Sequence, residues 1–394
     1  MSQKSRSCSN RKKLLVLGGI LFVGLNLRPA IVSVPPLLET IRADLNISYT
    51  AVSLLTTIPV LCMGLFAVAV PVITRHVGHS SAVFYGVCII GISTLMRFQS
   101  DSVVILFGST ILVGIGIAIA QTLLPSMVNA YYPNRPVGIT GLYSVSLTAG
   151  ATIAAIATVP LATGLGSWTR ALAVWGILVF LALPVWVPIV RGEQSQYSIS
   201  SSADPGYPIN SLFAWILVVF FGTTSTLFYS GVTWIPSRYI SLGWSEDSAS
   251  LLLTIFLLTQ FIGMFVVTVF GDRSPDRRPW LIIMSLMTTV GCFGIAMMPV
   301  SFPWVWSTIF GIGAGGLFTL ALALPIDFST ENTSIDELSS MVFAGGYSIS
   351  AAGPSLIGVI RDLGGGYSMI FLGMSLLAIL LSIIALTLHP NSKV

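Results

Sequence analysis

The chain has 394 residues, of which 54% are apolar and only 8% charged. Soluble domains carry about 25% charged residues, and 14 acids with 18 bases cannot solvate a surface for this mass. With a mean hydropathy of +0.91, the composition excludes a cytosolic enzyme, a nucleic-acid binder and a disordered chain. It leaves an integral membrane protein, on which a net charge of +4 is first a topology signal.

A basic N-terminus, Lys4 to Lys13, precedes an apolar run from Leu14 to Leu38. The run is too long for a signal peptide and no small-residue cleavage site closes it. It is read as the first membrane helix. Further spans are predicted at about 50–73, 81–97, 103–128, 139–161, 168–190, 211–235, 248–270, 279–299, 303–325, 339–360 and 367–388. The fold class expected is an all-α integral membrane protein of twelve transmembrane helices in two pseudo-symmetric six-helix bundles.

Assigning the bases to alternate sides gives about twelve on the N-terminal side. They are Lys4, Arg6, Arg11, Lys12, Lys13, Arg75, Arg135, Arg191, Arg273, Arg277, Arg278 and Lys393. Arg42, Arg97, Arg170, Arg238 and Arg361 fall on the other side, and Arg28 is left inside the membrane. Both termini are therefore expected in the cytoplasm of a cell (inner) membrane. The Ser-rich stretch Arg191 to Asn210 reads as a cytoplasmic linker. It divides the chain into bundles at 1–190 and 211–394.

The halves repeat. A shift of 197 residues aligns Leu45/Leu242, Ser48/Ser245, Ser53/Ser250, Leu54/Leu251, Leu55/Leu252, Thr57/Thr254, Ile58/Ile255 and Leu61/Leu258. The same shift maps Gly114-Ile-Gly116 onto Gly311-Ile-Gly313 and Thr122-Leu123 onto Thr319-Leu320. Tyr143-Ser-Val-Ser146 matches Tyr347-Ser-Ile-Ser350. A shift shared by separate helices marks a parallel duplication.

Twelve spans, two parallel halves and a central linker resemble the major facilitator superfamily. That family carries Gly-x-x-x-Asp-Arg-x-Gly-Arg after its second helix. Here the segment is Pro71-Val-Ile-Thr-Arg75-His76-Val77-Gly78-His79, with only Gly78 in register. Gly271-Asp272-Arg273 in the second half is nearer the common form. The resemblance implies a conformational latch at Arg75, His76, Asp272 and Arg273. A narrower resemblance is to the cyanate/nitroimidazole transporter family (CynX/NimT-like). It rests on Leu27-Arg28-Pro29, Pro36-Leu37-Leu38-Glu-Thr-Ile41-Arg42, Leu54-Leu-Thr-Thr-Ile-Pro59, Leu123-Leu124-Pro125 and Thr140-Gly-Leu-Tyr-Ser144. It implies a secondary transporter of a small polar or anionic solute, cyanate-, carboxylate- or nitroimidazole-like, working by alternating access.

Arg28 is the sharpest site candidate. A guanidinium near mid-bilayer costs roughly 2.5–3.5 kcal/mol on insertion scales, so it should face a cavity or a partner. Its planar fork suits carboxylates and other planar anions. A structural arginine bonded to carbonyls opened by Pro29 is the rival reading. Asn26, about 200° round the helix, is expected to bond to another helix. All 14 acids lie outside or at the ends of the spans, which leaves the solute as the partner for Arg28. Softer binding candidates are Gln121, Tyr143, Thr224, Tyr229, Gln260 and Tyr347. Trp234, Trp244, Trp280, Trp304 and Trp306 read as an interface belt, and the glycine clusters as close-packing surfaces.

Cys8, Cys62, Cys88 and Cys292 show no metal or disulfide spacing. No catalytic motif is present, so no enzyme and no cofactor is expected. The partners expected are a small-molecule substrate and the lipid bilayer, without nucleic acid, in a monomer; a coupling ion is left open. The rival functions are a polyspecific exporter of the same fold, whose cavity should be aromatic-lined and acid-bearing, and a non-transporting membrane sensor. Tags at both termini and within 191–210 should report the cytoplasm, and a tag at 300–303 the opposite side. A linker on the far side would overturn the twelve-span topology.

Overall fold

The computed structural model describes residues 3–67, 69–99, 102–132, 136–193, 208–271, 276–328 and 335–389. Its first helices are α1 (Gln3–Leu27), α2 (Pro29–Val32), α3 (Leu38–Asp44), α4 (Tyr49–Ala67), α5 (Val70–Val77) and α6 (His79–Met96). Then come α7 (Val103–Tyr131), α8 (Pro136–Leu165), α9 (Trp168–Phe180), α10 (Leu183–Glu193) and α11 (Leu212–Ile240). The last are α12 (Glu246–Val266), α13 (Arg278–Met297), α14 (Pro303–Phe328), α15 (Ile335–Asp362) and α16 (Tyr367–Thr387). Among the described residues no strand occurs, and 12 helical stretches are long and apolar enough to cross a membrane.

These stretches match the expected spans within a few residues at most ends, with two exceptions. The first runs from Lys13 to Asp44 and is broken at Arg28, around Ser33 and Val34. The second stops at Ala67, and α5 follows as a separate helix. Pro71, in the first turn of α5, has no N–H to give the carbonyl of Ala67, where α4 stops.

Contacts group the chain into two units, residues 1–33 with 65–201, and residues 34–64 with 202–394. The second predicted span thus packs with the C-terminal helices. In the first unit α6 packs on α7 and α9, and α1 on α8. In the second, α11 packs on α15, α12 on α14, and α13 on α14 and α16.

The sequence repeat has a physical basis. Ser48 and Ser245 are each the cap of a span: Ser48 accepts from the Ala51 amide at 3.0 Å, and Ser245 from the Ser248 amide at 3.3 Å. Gly116 lies against Gly86 and Ile90 on the third span, and Gly313 against Met284 and Thr288 on the ninth. Small residues at both crossings let the helix backbones approach closely, as expected of the glycine clusters.

Within the second unit, α4 is pinned to the C-terminal helices along its length. Asp362 caps its first turn, accepting from the Tyr49 and Thr50 amides at 2.8 Å each. The Arg42 and Arg361 guanidinium carbons lie 4.2 and 5.0 Å from the Tyr49 ring centroid, and Arg361 lies 4.0 Å from that of Tyr367. Further along, Thr56 and Thr57 share hydrogen bonds with Thr233 at 3.1 Å and Ser355 at 2.7 Å. Trp234 corrects the belt assignment. It is fully buried, and its indole N–H donates to the Pro354 carbonyl at 3.2 Å. Trp304 remains exposed.

Candidate functional site

The first unit is organised around the break in its first span. Pro29 has no N–H to give the Leu25 carbonyl, so α1 ends at Leu27 and Arg28 stands between α1 and α2. The Arg28 carbonyl restarts the helix, accepting from the Ile31 and Val32 amides at 3.0 Å each. Its side chain is only 5% exposed. Leu25 is held by α8: a Cβ added at Gly150 would sit inside contact distance of the Leu25 carbonyl oxygen. One residue earlier on α1 and one turn earlier on α8, Gly24 faces Ser146 and the Tyr143 ring, which a Cβ would meet at 3.0 Å. Tyr143, Ser146 and Gly150 form one stripe of α8 against the turn that leads into Arg28. Tyr143 is buried. Gln121, on α7, is half-buried.

Asn26 departs from expectation. Its amide nitrogen donates to the Phe22 carbonyl of its own helix at 2.8 Å, rather than to another helix. A back-bond of this kind satisfies the amide locally, one turn before the break.

Arg28 is not the single buried arginine. Arg97 and Arg238, counted from sequence among the bases on the side opposite the N-terminus, are 0% and 8% exposed. Both arginines close the crossing of the first and third spans of their half, with the roles exchanged. Arg97, after the third span, donates to the Ala30 carbonyl of the first at 2.7 Å. Arg238, in the seventh, donates to the Ala296 carbonyl of the ninth at 3.4 Å and to Ser368 at 3.2 Å. In each case an open carbonyl of a neighbouring span accepts from the guanidinium and draws it inward. No spacing rule marks either residue; only position at a span end could have raised the question.

In the second unit the candidates lie on three helices. Thr224 and Tyr229 are on α11, Gln260 on α12 and Tyr347 on α15, and all are buried. The Tyr229 hydroxyl faces the Met63 sulfur at 3.9 Å. The Tyr347 ring meets Phe221 edge-on at 5.3 Å and 89°. Thr224 Oγ1 and Gln260 Nε2 are buried with no hydrogen-bond partner. The reading from sequence missed the aromatic side chains around them: Phe221 and Phe228 on α11, Phe318 on α14 and Phe343 on α15, with centroids 5.1–6.4 Å apart in contacting pairs. Leucine- and phenylalanine-rich helices give no periodic signal that separates a binding wall from core.

Of the latch residues, Asp272 and Arg273 lie outside the described residues. Arg75 and His76 are on α5, with His76 Nδ1 2.9 Å from the Val72 carbonyl one turn back. Two other ion pairs stand near this loop in the second unit. Arg277 meets Asp327 at 2.8 Å, and Arg278 meets Asp276 at 2.7 Å. The hydrogen bond from Arg278 holds the exposed Asp276 carboxyl below its ordinary pKa. Among the described residues no cluster of His, Cys, Asp or Glu could hold a metal.

A sequence profile of the Major Facilitator Superfamily matches residues 14–240 and 215–394. The chain belongs to the major facilitator superfamily. Among curated relatives of this family, it is 31% identical to the cyanate transport protein CynX of Escherichia coli (strain K12), over 96% of this chain and 97% of that protein. It is 30% identical to the 2-nitroimidazole transporter of the same organism, over 99% of each chain. An uncharacterized transporter, YycB of Bacillus subtilis (strain 168), is 33% identical over 88% of this chain and 86% of that one. Solved structures share the fold at low identity. A bacterial homolog of the human lysosomal transporter Spinster aligns with a TM-score of 0.73 at 15% identity, covering 98% and 97% of the two chains. The nucleoside transporter NupG (D323A mutant) aligns at 0.75 and 11%, covering 96% and 100%.

α1 meets α8 at Gly150 with no room for a Cβ. Gly150→Ala should lower the melting temperature of the purified protein, since overpacking costs ~1–3 kcal/mol. Gly18→Ala, where a Cβ meets nothing within 4 Å, should leave it unchanged. Equal melting temperatures for the two variants would refute the close-approach account.

Proposed function

We propose that this chain is a secondary transporter that moves a small polar or anionic solute across the cell (inner) membrane by alternating access. Arg28 is its substrate clamp, and both termini are cytoplasmic. The observation that carries the reading is a buried guanidinium at the break of the first span, where backbone regularity is already lost. Irregular backbone at membrane depth is tolerated where it lines a cavity or is buried in protein, and transporters use such broken helices to hold solutes. A guanidinium offers a planar fork of donors, which suits a cyanate-, carboxylate- or nitro-bearing solute. The names of the two Escherichia coli relatives fall in that class.

If Arg28 clamps a planar anion, Arg28→Ala should abolish most binding while the protein stays folded. The loss of a charge-assisted pair in a low-dielectric site is ~2–5 kcal/mol, or roughly 30- to several-thousand-fold in affinity. Arg28→Lys keeps the charge without the fork and should rescue partially. Dissociation constants and melting temperatures measured together decide the matter, because a well-folded Arg28→Ala protein with normal affinity ends the clamp reading.

Among the described residues, Glu39, Asp44, Glu246 and Asp362 stand toward the margins of their spans. Binding therefore should not depend on any one of them. Single Asp→Asn and Glu→Gln variants across the chain should all retain substrate affinity within about threefold. A folded variant that loses binding altogether would reveal a proton site within the cavity.

A further inference from the structure

The second unit contains an aromatic wall that the clamp does not use. Phe228, Phe318 and Phe343 each present a part-exposed ring, with the fully buried Phe221 and Phe256 behind them. The Phe228 and Phe318 rings are 27° from parallel with centroids 6.4 Å apart. Phe221 backs the wall at 6.2 Å from Phe318 and 5.1 Å from Phe343. At 6.4 Å the Phe228 and Phe318 rings are in direct contact, so they offer a ligand their part-exposed faces rather than a slot between them.

Gln260 lies on α12, the helix packed against α14. The Gln260 backbone is pressed against Gly315, where a Cβ would meet the Gln260 Cα at 2.7 Å. Phe318 lies one turn after Gly315 on α14. Phe256 lies one turn before Gln260 on α12, with its ring 6.2 Å from Phe228. Gln260 is 2% exposed and its Nε2 has no hydrogen-bond partner. Thr224, one turn from Phe228 on α11, also buries an unpartnered hydroxyl. Buried polar atoms without partners are rare, and each needs an explanation. Apolar aromatic walls with a few fixed polar groups are the usual make-up of small-molecule sites.

We propose that Phe228, Phe318 and Gln260 form a subsite for a planar conjugated group, an aromatic or heteroaromatic ring. The ring stacks on the two phenylalanines, and an acceptor atom on it takes a hydrogen bond from Gln260 Nε2. The donor is neutral, so the subsite accepts neutral or anionic rings. The proposal rests on the transport reading in taking the solute class to include planar conjugated molecules.

The test measures binding of benzoate and acetate, which share a carboxylate and differ in the ring, to the purified full-length protein. Wild type should bind benzoate at least tenfold more tightly. Phe228→Leu, Phe318→Leu and Gln260→Leu should each weaken benzoate about tenfold and shift acetate less than threefold. Phe228→Tyr and Phe318→Tyr keep the ring and should keep the preference. A wild type that binds benzoate no better than acetate, or not at all, overturns the subsite. So do leucine variants that preserve the preference, or that weaken both probes equally. Arg28→Ala is a separate arm. The clamp requires it to lose acetate, and its failure to do so leaves a measured ring preference standing.

Discussion

In a bilayer no water is present to satisfy an opened backbone group, so each break in a spanning helix must find its partners within the protein. This chain breaks its first span with Pro29, and prolines at 35 and 36 withhold two further amide donors from the carbonyls a turn earlier. What surrounds the break answers that debt. Gly150 lets α8 press against Leu25, Arg97 donates to Ala30, and the Arg28 carbonyl begins a new short helix. The position of Arg28 along the span is set by the backbone break that Pro29 makes. Packed in this way, Arg28 sits where α1, α2 and α8 meet.

The two sequence halves have kept their scaffold and diverged in chemistry. Ser48 and Ser245 still cap corresponding spans, and the Gly-Ile-Gly clusters still sit at corresponding crossings. The first span of the second half, however, is the continuous helix α11, with Pro236 accommodated in its final turns. Hydroxyls and phenylalanines occupy its middle in place of an arginine and a break. A duplicated fold offers two equivalent positions. Here one took charge and the other took aromatic surface.

Most of the architecture was legible in the chain because lipid enforces a simple rule: about twenty apolar residues, then a polar interruption. The twelve spans follow from it, whereas the repeat was legible as a shift of 197 residues shared by separate helices, and Arg28 as a charge inside an apolar run. What could not be read depends on tertiary partners. Arg97 and Arg238 look like loop charges until the open carbonyls of Ala30 and Ala296 are placed beside them. Trp234 looks like an interface residue until Pro354 supplies an acceptor for its indole. Asn26 turns back on its own helix, which no spacing argument excludes. The phenylalanines of α11, α14 and α15 are invisible for a different reason. In a chain this apolar, one more aromatic carries no information until its neighbours are known.

The break also has a consequence for the order of synthesis. The first span leaves the ribosome with its Leu25 and Ala30 carbonyls open and a guanidinium between them. The groups that cover those carbonyls belong to Arg97 and α8, which are made only after the third and fifth spans have been translated. Until then the nascent span is poorly matched to hydrocarbon. The polar break is covered only once the helices that contact it have been made.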